Sequence, residues 1–211
     1  MGEKVNARLA AFCDGVFAIA ATLLILEVKV PPIASMHSVE DVWRAVGNLW
    51  PSLFALIWSY LIIFITWYAH HNLLKIVDKA TPGFYFANAF FMFTIVIIPF
   101  PTSFIAEYLN TPFAQPAIEV YCLSMVLYNF GWMILNRSCA KPILLVTGEK
   151  HRKILAGITR DGHYAFFIYT SLCVLAIWQP YPALILNFLI WIYWLYVTIK
   201  MKKETVEGIA G

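Results

Sequence analysis

The residues that could do chemistry cluster in one stretch, Arg8 to Glu27, which reads RLAAFCDGVFAIAATLLILE. On a helical wheel at about 100° per residue, with Ile19 at zero, Leu23, Leu26 and Val30 all lie within about 40° of it. We call these four residues the aliphatic stripe. Such a stripe packs against apolar neighbours or, around a shared axis, excludes water and ions from a narrow passage.

Polar groups flank the stripe on both sides. Thr22 lies at its edge, near about −60°, and Asp14 lies almost opposite, near about −140°. Arg8, Phe12 and Gly15 continue the stripe toward the N-terminus. The segment therefore combines an apolar face, a hydroxyl at its border and a carboxylate behind it.

Catalysis and metal binding are not indicated by the remaining residues. His70 and His71 are adjacent and point to different helix faces, so they cannot jointly bind one metal ion from a helix. No Gly-rich phosphate loop is present, and the cysteines (13, 122, 139 and 173) lack metal-ligand or disulfide spacing. We expect a protein that is not an enzyme and has no cofactor.

The composition predicts that these residues are held by membrane helices. The chain is 61% hydrophobic and only 13% charged, with a mean hydropathy of +0.72. A membrane-spanning helix needs about 20 mostly apolar residues. We predict an all-α polytopic membrane protein with a single domain over residues 1–211 and six transmembrane helices, at about 12–30, 51–70, 84–105, 117–136, 163–179 and 182–199.

The distribution of basic residues predicts the orientation. If the N-terminus is inside, 13 of the 15 Lys and Arg residues lie on the inner side, and only Lys29 and Arg44 lie outside. We therefore expect both termini in the cytoplasm. The basic inner loops suit anionic lipid headgroups, which explains the net charge of +3 without nucleic acid. Asp14 interrupts the first apolar run, which disfavours a cleaved signal peptide.

The connections contain recognisable stops and starts. Pro31-Pro32 should end the first helix, and Ser38 with Asp41 is typical of a helix start. The prolines within 98–101 predict a kink or an early end of the third segment. Residues 137–162 are interpreted as a solvated basic loop, with a surface helix at 149–157 as the alternative. Asn129 and Asn187 are interpreted as amides that bond across to a neighbouring helix.

The opening stretch resembles a known motif. Arg8 to Asp14, followed by the apolar run to Leu23, is similar to the R-x-x-x-F-S-D motif of the transmembrane protein 175 family of potassium channels. Cys13 stands where the family usually has serine, and Trp67-x-x-His70 gives weaker support. Six helices with the motif opening the first resemble the short prokaryotic members, which implies a prokaryotic plasma membrane.

The resemblance implies a homotetramer whose first helices surround a pore that conducts monovalent cations and prefers K⁺. Carried over by position, the hydrophobic constriction or gate falls on Ile19, with Leu23 and Leu26 above it. Thr22 matches a threonine implicated in ion selection. No Thr-Val-Gly-Tyr-Gly filter occurs in this sequence, so carbonyl selection of the kind found in ordinary potassium channels is not expected.

Asp14 needs partners, because an unpaired carboxylate inside the apolar region costs about 2.5–3.5 kcal/mol on insertion scales. The expected partners are Arg8, the Trp67 indole and His70, which would tie the first helix to the second. The motif and anchoring residues are thus Arg8, Phe12, Cys13, Asp14, Trp67 and His70. At the outer mouth, Glu27 either concentrates cations or is a simple boundary charge.

Two alternatives stay open. The same pore could be a proton or weakly selective cation leak, and the protein could be a non-conducting membrane scaffold. An aliphatic face at helical spacing is, in general, more often lipid-facing or core than pore-lining.

Overall fold

The computed structural model describes residues 2–77, 80–140 and 149–207, and within these ranges the regular structure is entirely helical. The α-helices are α1 (Gly2–Leu23), α2 (Val39–Gly47), α3 (Trp50–Ile76), α4 (Pro82–Ile97), α5 (Pro99–Tyr108), α6 (Ala114–Ala140), α7 (Glu149–Ala176) and α8 (Pro180–Glu207). Two short 3₁₀ turns, Leu24–Glu27 and Ile33–Ser35, lie between α1 and α2.

Five stretches of the described chain are long and apolar enough to cross a membrane: Ala7–Glu27, Val39–Ile76, Pro82–Tyr108, Ala114–Cys139 and Pro180–Ile199. The remaining long helix, α7, has 28 residues, but charged residues occupy its first half. Its uncharged part begins at 162 and continues past the end of the helix to 179, which places it at the short end of the range of about 17–25 residues that can span the apolar layer. The protein is therefore an all-α protein with several membrane-length helices.

The first predicted segment, 12–30, differs from the observed helix at both ends. α1 already begins at Gly2, because the polar residues before Ala7 mark the membrane boundary but do not interrupt a helix. At the other end the chain tightens into the 3₁₀ turn Leu24–Glu27, and extended backbone follows at Val28. Pro31-Pro32 comes after this end.

Prolines and side-chain caps set several other boundaries. The segment 84–105 is two helices, α4 and α5, which meet at Ile98 where Pro99 begins the second. The Ser38 side chain accepts a hydrogen bond of 3.1 Å from the Asp41 backbone N–H and so caps α2. The kink and the helix start expected from the sequence are thus both present.

The connection predicted over 137–162 is largely helical. α6 continues to Ala140 and α7 begins at Glu149, so the loop interpretation was wrong for 137–140 and for 149–162, and the alternative of a helix at 149–157 agrees with the start of α7. Residues 141–148 lie outside the described part of the chain. The helices include 137–140 and 149–162 because charged side chains on an exposed face do not break a helix where it leaves the apolar layer.

The helices pack as a bundle with α6 near its centre. α6 contacts α4, α5, α7 and α8, whereas α1 packs mainly against α3 and α4 at the edge. Gly131 permits the close approach of α6 to α4, since a Cβ at this position would lie 3.0 Å from Cγ2 of Thr94. Only 22% of the residues in the most apolar window of Ala7–Glu27 are buried, compared with 50% for Pro82–Tyr108. Within one protomer, most of α1 is therefore left uncovered.

Candidate pore helix and its anchors

α1 has one buried face and one exposed face. The buried face holds Cys13, Phe17 and Ala20 and continues to Leu24 in the 3₁₀ turn. The opposite side of the helix carries Ile19, which is 61% exposed. The helix is thus fixed to the protomer along one side only.

The exposed side contains the residues predicted to form the constriction. Leu23 is 41% exposed and Leu26 is 70% exposed, and Thr22 beside them is also exposed. In a 3₁₀ turn residues i and i+3 eclipse each other, so Leu26 lies directly above Leu23. The aliphatic stripe therefore continues past the end of the α-helix as far as Leu26, whereas the extended backbone at Val28 takes Val30 out of the helical register. Gly15 borders open space, because a Cβ at this position would meet no neighbouring part of the protomer within 4 Å.

The same turn moves Glu27 away from the stripe. Because Glu27 is three residues after Leu24, it eclipses that buried residue and is itself half-buried. The exposed charge beyond this end of α1 belongs to Lys29, which forms an ion pair of 3.2 Å with Glu107 in α5. Both partners are largely exposed, so this pair contributes little to stability.

The Thr22 hydroxyl is already oriented by its own helix. Its Oγ1 donates a hydrogen bond of 2.9 Å to the carbonyl oxygen of Ile19. With the proton engaged there, the lone pairs of Oγ1 point away from the helix, and a cation binds to lone pairs. Thr22 can therefore offer an oxygen ligand at the border of the stripe.

Asp14 is held by one of its three expected partners. The Trp67 indole N–H donates a hydrogen bond of 2.7 Å to Oδ1 of Asp14, which joins α1 to α3. Such a short bond to a carboxylate is a charge-assisted one. Trp67 itself packs between Phe64 and His71, with ring centroids 5.6 and 5.7 Å away.

His70 does not contact Asp14 but belongs to a second buried link. Its Nε2 lies 2.8 Å from Oδ1 of Asn88, and Asn88 Nδ2 donates a hydrogen bond of 3.2 Å to Sγ of Cys13. Since the amide oxygen can only accept, Nε2 of His70 is the donor. The imidazole also packs against Phe17, at 5.5 Å, and Phe91, at 5.8 Å. This chain ties α1, α3 and α4 together.

The expected roles of Arg8 and Phe12 as anchors are not seen within the described part of one protomer. Arg8 is exposed and makes no ion pair with Asp14 there, because the two side chains leave the helix in different directions six residues apart. Phe12 is 63% exposed on the same side as Ile19. Both residues thus belong to the uncovered face.

Asn88, which links His70 to Cys13, was not predicted from the sequence as a site residue. It lies in the middle of an apolar helix, where a single amide signals a partner on a neighbouring helix. Asn129 and Asn136, in contrast, donate to carbonyl oxygens of their own helix, those of Met125 and Trp132, at 2.8 Å. The expected cross-helix bond of Asn129 was therefore wrong, because the i−4 carbonyl offered a closer acceptor.

Known proteins resemble this arrangement in sequence and fold. Residues 8–99 match the family described as endosomal/lysosomal potassium channel TMEM175. A potassium channel of Chamaesiphon minutus is 30% identical over 183 residues, which cover 83% of this chain and 88% of that protein. The endosomal/lysosomal proton channel TMEM175 of Rattus norvegicus is 24% identical over 80% of this chain, but the match covers only 36% of that longer protein.

The fold agrees with a solved structure. The crystal structure of a lysosomal potassium-selective channel TMEM175 homolog from Chamaesiphon minutus superposes with a TM-score of 0.79 at 27% identity and covers 92% of this chain and 98% of the other. The family is one of ion channels, which confirms the expectation that the protein is not an enzyme. The motif resemblance is confirmed as well: this chain belongs to the TMEM175 family of potassium channels.

Proposed function

We propose that four copies of this chain form a potassium-preferring cation channel, with the α1 helices around a central axis. Ile19 forms the narrowest ring and acts as a hydrophobic gate, with Leu23 and Leu26 on its outer side. Thr22 contributes to ion selection. K⁺ is the permeating ion, and no cofactor is needed.

The observation that carries the proposal is the uncovered face of α1. The buried face is fixed to α3 and α4 by Asp14 and Cys13, so the stripe residues are held facing outward. α8 is equally uncovered, because only 22% of the residues in the most apolar part of Pro180–Ile199 are buried. It differs in exposing tyrosines near both ends of that stretch, at positions 181, 193 and 196. Such aromatic belts are typical of lipid-facing helices. α1 instead combines Gly15 and several alanines, which allow helices to approach closely.

Selection follows from hydration. A ring of isoleucine side chains offers no oxygen to replace the water around an ion, so the narrow state excludes ions. When the helices spread, a partly hydrated ion can pass. K⁺ gives up water more readily than the smaller Na⁺, and the lone pairs of Thr22 compensate part of the loss. Modest selectivity, weaker than that of a carbonyl filter, is expected.

The whole chain, residues 1–211, would form one transmembrane domain with six membrane crossings. These are α1, α3, α4 with α5, α6, α7 and α8, and α2 belongs to the outer connection between the first two. With the basic residues on the inner side, both termini are cytoplasmic. The Lys29–Glu107 pair supports this arrangement, because it joins the outer end of the first crossing to that of the third. We place the channel in a prokaryotic plasma membrane, surrounded by lipid.

A proton or weakly selective cation leak is the second candidate. It is favoured by the resemblance to a relative named as a proton channel and by the wholly apolar stripe. The two functions share the same pore and differ only in what passes the ring at Ile19.

Flux through reconstituted protein tests both. Purified protein is placed in liposomes with a K⁺ gradient, and cation and proton flux are followed with separate dyes. We expect K⁺ flux that exceeds Na⁺ flux, increased flux for Ile19→Ala, and a changed K⁺-to-Na⁺ ratio for Thr22→Val. The matched control Ile185→Ala alters an equally exposed isoleucine of α8, at 59% exposure, and should change neither.

The outcomes separate the candidates. Flux without cation preference, or flux of protons only, favours the leak. No flux from a tetramer identified by native mass spectrometry favours a scaffold. Equal behaviour of Ile19→Ala and Ile185→Ala would contradict the assignment of α1 as the pore helix.

A further inference from the structure

A layer of polar side chains lies inside the protomer where α6, α7 and α8 meet, away from α1. Tyr121, Tyr169 and Asn187 each lie seven residues from the end of their helix that is nearest the α7–α8 turn. At about 1.5 Å per residue they are all about 10 Å below those ends. Trp191 follows Asn187 by one helical turn, and its ring lies 6.2 Å from that of Tyr169. All four residues are at most 3% exposed.

Asn187 has no hydrogen-bond partner for either end of its amide in the part of the chain that the structure describes. The same is true there of the indole nitrogen of Trp191. Polar groups within the apolar layer are normally satisfied, because no bulk water is present to replace a missing bond.

The orientation of Asn187 shows that its amide is available for a ligand. The amide nitrogens of Asn129 and Asn136 each donate to a carbonyl oxygen of their own helix, four residues earlier. The equivalent acceptor for Asn187 is the carbonyl oxygen of Ala183, yet the amide does not bond to it. Within the described part of the chain, the buried amide therefore keeps both its donors and its acceptor available for a ligand.

We propose that α6, α7 and α8 enclose a water-binding site whose principal ligands are Asn187 and Trp191. Asn187 supplies one acceptor and two donors, and Trp191 supplies one further donor. The ligands are uncharged and include both donors and acceptors, so the bound molecule is neutral and has both functions, as water does. The ring of Tyr169, which lies 6.2 Å from that of Trp191, borders the site.

Other occupants do not reach this site. A second copy of the chain or a lipid headgroup would need an exposed atom to contact, and Asn187 is 0% exposed. A cation would require several oxygen ligands or a carboxylate, whereas the indole of Trp191 offers only an N–H. A small number of buried waters is also what a bundle of this size normally contains.

Hydroxyl-radical labelling by short X-ray pulses tests the proposal. The full-length protein in lipid nanodiscs is irradiated in ¹⁸O-labelled water, and oxidised residues are identified by mass spectrometry. Radicals form at bound water and oxidise adjacent side chains. We expect Trp191 to be labelled several-fold more than Phe84, after correction for intrinsic reactivity, although both are buried. Phe84 is the dry control, because it is a fully buried apolar side chain of α4.

The Asn187→Leu variant tests the ligand itself. It keeps the branching at Cγ but replaces the amide by two methyl groups, so labelling of Trp191 should fall several-fold while Phe84 is unchanged. Labelling of Trp191 no greater than that of Phe84 in the natural chain would overturn the proposal, and this arm does not depend on the variant folding. Undiminished labelling in a folded Asn187→Leu variant would overturn the role of the amide.

Discussion

Replacing Trp67 by phenylalanine should weaken the attachment of α1 to the rest of the protomer. The substitution keeps an aromatic ring between Phe64 and His71 but removes the indole N–H that donates a hydrogen bond of 2.7 Å to Asp14. The carboxylate then lies at the edge of the apolar layer without that donor. Asn88 donates a hydrogen bond to Cys13 and accepts one from His70. Neither Asn88 nor His70 is bonded to Asp14, so neither replaces the lost indole donor.

The magnitude follows from the kind of bond that is lost. Hydrogen bonds to charged groups contribute about 1.5–3 kcal/mol to the free energy of unfolding. Asp14 is only half-buried, so water can reach part of the carboxylate and the lower end of the range applies. We expect a loss of about 1.5–2 kcal/mol, which reduces the folded-to-unfolded ratio roughly tenfold to thirtyfold.

The measurement is reversible unfolding by SDS in mixed micelles, followed by a signal that does not depend on the altered tryptophan, such as helical circular dichroism. Trp43→Phe is the matched control, because Trp43 is 71% exposed on α2 and no residue of that helix is buried. Combining Trp67→Phe with Asp14→Ala gives a double-mutant cycle that separates the hydrogen bond from the loss of ring area.

The reasoning is refuted if Trp67→Phe behaves like Trp43→Phe. It is also refuted if the cycle returns a coupling energy near zero, since the effect of Trp67→Phe would then come from packing alone. A coupling above about 1 kcal/mol supports the bond between Trp67 and Asp14 as the attachment of α1.

Three further substitutions test the buried contacts, each by the same unfolding assay. Asn88→Ala should lower stability by about 1–3 kcal/mol, because it leaves the buried ring nitrogen of His70 without its acceptor. Cys13→Ser should raise stability by up to about 1 kcal/mol, since an oxygen accepts from the Asn88 amide more strongly than sulfur does. Gly131→Ala should lower it by about 1–3 kcal/mol, because its methyl group would lie 3.0 Å from Cγ2 of Thr94.

Each of these has its own control and contrary result. Gly157→Ala alters a helical glycine of α7 with open space around it and should be neutral or stabilising, so an equal loss at both glycines would contradict close packing at Gly131. A Cys13→Ser variant less stable than the natural chain would show that the site is shaped for sulfur. If Asn88→Ala costs nothing, the imidazole of His70 has another acceptor.

The helices and the face of α1 could be predicted because they depend on local properties. Apolar runs of membrane length identify segments whatever their neighbours, and the spacing of Ile19, Leu23 and Leu26 places them on one side of any helix. The helix start at Ser38 and the break at Ile98 are equally local, since a cap and a proline act within one turn. The ends of α1 and α7 were harder to predict, because charged residues mark the membrane boundary but not the end of a helix.

The partners of the polar groups could not be predicted from spacing. Arg8, Trp67 and His70 are all predicted near the inner membrane surface, as Asp14 is, but the sequence does not give the rotation of α3 relative to α1. The structure sets that rotation, and it directs Trp67 at Asp14 while His70 turns to Asn88. The bond from Asn187 to a neighbouring helix that the sequence predicted is not present among the described residues, because an amide within an apolar run does not reveal which acceptor or donor will face it.

The sequence by itself determined that this is a helical membrane protein and which face of α1 is aliphatic. Hydropathy and helical periodicity act along the chain, so no knowledge of the neighbours is required. Only the tertiary structure decided which face of α1 is covered, which donor holds Asp14, and where polar atoms meet inside the bundle. These depend on the crossing and rotation of helices that are distant in sequence, which packing sets across the whole bundle at once.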